Sequence, residues 1–136
     1  MEKNTILEMV KGILLPKEIA EHFDLSDIKE YKAYIIIELR EKTGLIPKAT
    51  QKKAELVLDG FLNPIELQSF PLRGKAVYIK IYRRKWKDKG GGETYWNQYD
   101  FNPEGVKATK EFASFLKGAY GQTPEQYNND RESIMR

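Results

Sequence analysis

The sequence predicts an α+β domain: a small antiparallel sheet of about five strands, built as hairpins around a basic strand, with an N-terminal helical segment and a short C-terminal helix. Three observations carry that expectation. Near the start, Ile6, Met9, Val10, Ile13 and Leu14 recur at helical spacing. In the middle, Val77, Ile79 and Ile81 alternate with Tyr78, Lys80, Tyr82, Arg84 and Trp86, a period of two that gives a half-buried strand. Toward the end, Phe112, Phe115, Leu116 and Ala119 return to the helical period. With 136 residues the chain is expected to fold as one domain over 1–120. The polar stretch 121–136, with only Tyr127, Ile134 and Met135 to anchor it, reads as a loosely ordered tail.

Taken in order, Thr5 and Glu8 have the spacing of a capping box and place the first helix start near Thr5, its apolar stripe facing the core. Leu15-Pro16 ends or kinks that helix, and Pro16 opens a second turn that carries Ile19, Ala20 and Phe23 inward. Residues 25–41 read as two strands about a polar turn at Lys29 to Lys32, the second running from Ala33 to Leu39. The segment KATQKKAELVLDGF reads as a Lys-rich helical turn or loop closed by Gly60. Ile65 to Phe70 forms a strand that the turn Pro71 to Lys75 folds back into the basic strand. Gly90-Gly91-Gly92 makes a second reversal and lacks the Lys-Ser/Thr ending of a phosphate-binding loop. Glu93 to Phe101 then returns as a strand, setting Tyr95 or Trp96 across from the basic strand's rings, and Thr109 caps the closing helix.

The charge is unevenly spread. Pro71 to Lys89 holds eight basic residues against one acid, Asp88, in a chain whose net charge is only +3, so the rest of the molecule is net acidic. The candidate contacts are Arg73, Lys75, Lys80, Arg83, Arg84, Lys85 and Lys87 for phosphates, with Tyr78, Tyr82 and Trp86 for bases or sugars. An exposed strand face of Lys, Arg and Tyr also serves solubility and blocks edge pairing, and that reading stands beside the first.

Other chemistries find little support. The chain has no cysteine and a single histidine, which removes disulfides, thiol catalysis and Cys/His zinc sites. His22 lies among Glu18, Glu21 and Asp24, a weak metal or acid–base signal without a second ligand at metal spacing. No cofactor is expected. No apolar run approaches the length of a membrane span, and MEKNTILEM has no secretory apolar core, which suggests a cytoplasmic protein.

The run LLPKEIAEHFDLSDIKE, then FLNPIELQSFPLRGKAVYIKIYRRKWKD, then VKATKEFASFLK resembles the N-terminal protein of ISAon-one-type insertion-sequence transposases over roughly residues 13–118. QSFPLRGKAVYIKIYRRKW followed by TKEFASFL is the most specific part. The layout is similar, more remotely, to the N-terminal zinc-binding region of ISL-three-type transposases, but no cysteine stands near Glu55 to Phe61 or Lys87 to Gly92, so zinc is not carried over. The resemblance implies a non-catalytic DNA-associated accessory module, nucleoid-associated when bound, with insertion-sequence ends and a catalytic transposase subunit as partners and the nuclease on a separate chain. Three functions are therefore expected in descending order: contact with DNA through the basic strand 73–89; docking on the transposase through the N-terminal apolar stripe; and a metal-dependent nuclease that needs Glu18, Glu21 and Asp24 to converge. For the first, neutralising about four to six phosphates sets a salt slope of roughly −4 to −5.

Overall fold

The computed structural model describes residues 3–48 and 55–135 and is α+β. Helix α1 (Lys3–Leu14) and the single turn α2 (Lys17–Ala20) precede β1 (Phe23–Glu30) and β2 (Tyr34–Glu41). Then come β3 (Leu56–Phe61), β4 (Ile65–Leu72), β5 (Lys75–Tyr82), β6 (Arg84–Asp88) and the short β7 (Thr94–Tyr95), followed by α3 (Lys110–Tyr120) and α4 (Pro124–Met135). The described strands number seven in two sheets, ordered β1-β2-β5-β4 and β3-β6-β7.

The larger sheet joins two hairpins side by side. β1 with β2 and β4 with β5 are antiparallel, as expected, but the central seam between β2 and β5 is parallel, with Ile37 beside Ile79 and Leu39 beside Ile81. That seam puts the most apolar strands at the centre. Ile37, Leu39, Leu67, Val77, Ile79 and Ile81 all point to one face, where Leu15, Ile19, Phe23 and Phe101 cover them. Burying this set favours folding by roughly 25 cal/mol per Å² of apolar surface.

Several expectations change. The helix begins at Lys3, so Thr5 lies inside it, and Glu8 pairs with Lys11 at 3.0 Å instead of closing a capping box. The apolar stripe of α1 is core only in part: Leu14 packs against the core and Val10 is half-buried, but Ile6, Met9 and Ile13 are exposed, because α1 rests on β1 through Lys11, whose buried Nζ donates to the Phe23 carbonyl at 3.1 Å. Leu56 to Phe61 is strand β3, not a helical turn, and residues 49–54 of that segment lie outside the described residues. Only Thr94–Tyr95 of the expected return strand is paired, with Tyr95 opposite Trp86.

The tail expected to be loosely ordered is helix α4. Thr123 Oγ1 accepts from the Gln126 amide at 3.3 Å and Gln126 Oε1 accepts from the Thr123 amide at 2.9 Å, a capping box directly ahead of Pro124 at the first helical position. Tyr127 meets Phe112 edge-on at 5.7 Å; the Ile134 and Met135 side chains lie outside the described residues. Helix α3 forms as expected, with Thr109 capping Phe112 and Gly121 ending it at a left-handed φ of 64°.

Candidate nucleic-acid interface

The basic stretch is two strands, not one. β5 presents Tyr78, Lys80 and Tyr82 outward while Val77, Ile79 and Ile81 point into the core. At Arg83 the chain leaves the first sheet, its carbonyl accepting from the Leu62 amide at 3.0 Å, and β6 starts with the alternation shifted by one. A one-residue shift sends each later side chain to the other face. Trp86, expected outward beside Tyr82, is consequently 5% exposed. Lys85 and Lys87 take the opposite, solvent side of the smaller sheet.

The ten predicted contact residues fall into three groups. Lys75, Arg83, Arg84 and Trp86 belong to the body of the fold. Lys75 Nζ lies 3.0 Å from Glu30 and 2.9 Å from the Tyr31 carbonyl, bracing the end of the first hairpin. Arg84 donates its amide to a Glu41 carboxylate oxygen at 2.8 Å and its Nε to the Glu41 carbonyl at 2.6 Å. Trp86 Nε1 and Arg83 Nε are buried with no acceptor among the described residues.

The second group is a row on the outward face of β5. Tyr78, Lys80 and Tyr82 follow one another, with Lys80 Nζ 5.9 Å from the Tyr82 ring centre. Cross-strand register sets Lys80 between Glu38 and Glu66, so its charge is largely balanced locally. The third group is cationic and unpaired: Arg73, Lys85 and Lys87 make no ion pair among the described residues. Arg73 occupies the tip of the β4–β5 hairpin with φ 49°, beside Gly74 at φ 78°, the two-residue turn in which both positions are left-handed.

Four residues that belong to this surface were not singled out from sequence. Tyr31 and Tyr34 stack at 4.7 Å, and Tyr34 meets Tyr78 edge-on at 6.3 Å, extending the row across β2. Phe61 carries the Arg84 guanidinium at 4.8 Å and the Arg40 guanidinium at 5.7 Å, and meets Tyr82 at 6.0 Å. Tyr34 and Arg40 were legible as outward positions of an alternating strand; Phe61 was hidden because its strand was not recognised.

The junction of the two sheets is organised by Glu41, a fully buried carboxylate at the end of β2. Besides Arg84 it accepts from Asn97 Nδ2 at 3.1 Å and from the Tyr99 hydroxyl. Burial, and then the hydrogen bond to Glu41, push the Tyr99 phenol well above its ordinary range, while the nearby Arg83 pulls weakly the other way. His22 Nδ1 lies 2.9 Å from the Glu18 carbonyl oxygen and its ring 5.5 Å from that of Tyr99. Among the described residues no three His, Asp or Glu side chains gather as a metal site, and no helix is long and apolar enough to cross a membrane.

No family model matches this chain, and no curated protein or solved structure matches it either.

Proposed function

We propose that the chain is a non-catalytic DNA-contacting accessory module of an insertion-sequence transposition system, working beside a separate catalytic transposase subunit. The observation that supports the DNA contact is the set of cations left without carboxylate partners among the described residues, Arg73 at the hairpin tip and Lys85 and Lys87 on the smaller sheet, together with the ring-and-cation row of β5. Phosphates replace the water and counterions around such groups, and the released counterions drive binding. Arg73 adds a second argument. A non-glycine residue in the left-handed region costs of order 1 kcal/mol, and Asn would suit the turn better, so an arginine there points to use of its charge.

The test is fluorescence anisotropy of the full chain with labelled DNA across a salt series. With about three phosphates neutralised, log K falls with log salt at a slope of roughly −3, shallower than the strand read as wholly free predicts. Lys85→Ala with Lys87→Ala lowers affinity and reduces that slope by about 2. Arg84→Glu is a poor control, because Arg84 holds the Glu41 junction. Unchanged affinity and slope in the double variant remove β6 from the interface.

One observation favours docking on the transposase as a second reading: Ile6, Met9 and Ile13 form an exposed i, i+3, i+7 stripe on α1. Capture of the transposase without DNA, lost on Ile6→Ser with Ile13→Ser, separates this reading from the first.

A further inference from the structure

The outward face of the larger sheet has too little net charge to hold DNA by phosphates alone. Lys80 stands between Glu38 and Glu66, and Lys29 is already bonded to Glu38 at 3.1 Å. The face is instead rich in rings. Tyr34 and Tyr78 meet across the parallel seam, and Tyr82 follows Tyr78 about 13 Å further along the same strand. Duplex DNA keeps the flat faces of its bases stacked inside and presents only sugars, phosphates and groove-side base edges, whereas a single strand offers the flat surfaces that rings bind.

A cleft of about 1090 Å³ opens beside Tyr78, between β4 on one side and the start of α4 with the 102–107 segment on the other. Gln68 and Asn128 line it and exchange two amide hydrogen bonds, Gln68 to Asn128 at 2.9 Å and back at 2.7 Å. Gln68 is buried and Asn128 half-buried, so Asn128 is the more accessible amide; it keeps one further N–H and one further lone pair, the donor-and-acceptor set that reads a base edge. Glu66 and Glu125 also line the cleft and disfavour a phosphate inside it, while Lys107 supplies one cation among its lining residues. The chemistry selects a base to enter and a phosphate to stay out.

We propose that this face binds single-stranded DNA, with bases stacking on Tyr34, Tyr78 and Tyr82 and one base entering the cleft beside Gln68 and Asn128. The inference rests on the DNA-contact reading above and specifies the form of DNA. Lys80, between Tyr78 and Tyr82 but balanced by Glu38 and Glu66, adds little phosphate attraction, so the rings carry the binding on this face.

The experiment compares a labelled single strand of about fifteen nucleotides with its duplex, using the full chain. The single strand is expected to bind at least about tenfold tighter. Tyr78→Leu with Tyr82→Leu keeps apolar bulk but removes the rings; it lowers single-strand affinity by about tenfold or more and leaves the salt slope unchanged, since no phosphate contact is lost. Tyr78→Phe with Tyr82→Phe retains affinity, and circular dichroism melts of both pairs verify the fold. Equal or tighter duplex binding, or ring variants that bind as wild type, overturns the inference and leaves DNA contact standing. No binding of either form at low salt overturns both.

Discussion

Glu41 joins three separate parts of the chain through one carboxylate. Its acceptors are filled by the Arg84 amide, Asn97 and the Tyr99 hydroxyl, while the Arg84 guanidinium sits beside it on the Glu41 carbonyl. Glu41→Gln replaces one of these acceptor oxygens with an NH₂ that faces another donor, and an unfolding titration in urea should show a loss of about 2 kcal/mol. Tyr99 gives the complementary pH signature. Its phenol pKa is raised above the ordinary value of 10.0 by burial first and then by Glu41. The folded state thus keeps a proton that the unfolded chain gives up near pH 10; the contribution is intact below that pH and is lost as pH rises beyond it. Followed at the phenolate absorption band, Tyr99 should ionise only together with unfolding, and Tyr99→Phe should remove that late step. Nothing in the sequence marked Glu41, because a Glu closing a strand looks like any solvated strand end; its burial follows from a turn at Arg83 that brings β6 across it.

The β4–β5 hairpin is where an element and its proposed use pull in different directions. Arg73→Asn suits the left-handed turn and should raise stability by roughly 0.5–1 kcal/mol in thermal melts while weakening DNA binding. Elements of this kind were legible in the sequence. Gly74 between two alternating runs marks the hairpin, Thr109 and Gly121 mark both ends of α3, and Pro16 marks the break after α1. Thr123-Pro124-Glu125-Gln126 carries an equally readable capping signal for α4, masked by the polar stretch that follows. The break at Arg83 carried no such signal. No glycine or proline stands there, and the alternation continues in composition although the strand has ended, so the pattern puts Trp86 on the wrong face. The parallel β2–β5 seam was equally hidden, since its strands are joined through β3 and β4 instead of a crossover helix.

At the scale of the whole molecule, folding divides what the sequence concentrates. The cations of residues 71–89 are distributed over a hairpin tip, the face of one sheet and the solvent side of another, and two of them serve as internal braces. The DNA-contacting reading therefore rests on fewer free charges and more rings than a count of Lys and Arg suggests. The central seam has a further consequence. Each residue of β2 waits for a partner about forty positions later in the chain, Tyr34 for Ala76 and Arg40 for Tyr82. As the polypeptide leaves the ribosome, the first hairpin is complete while the inner edge of β2, with Ile35, Ile36 and Ile37, is still bare, and it stays so until the second hairpin has been made. For those few seconds of synthesis the nascent chain displays its stickiest strand to its neighbours, and the order of translation, not the finished fold, sets its exposure to misassembly.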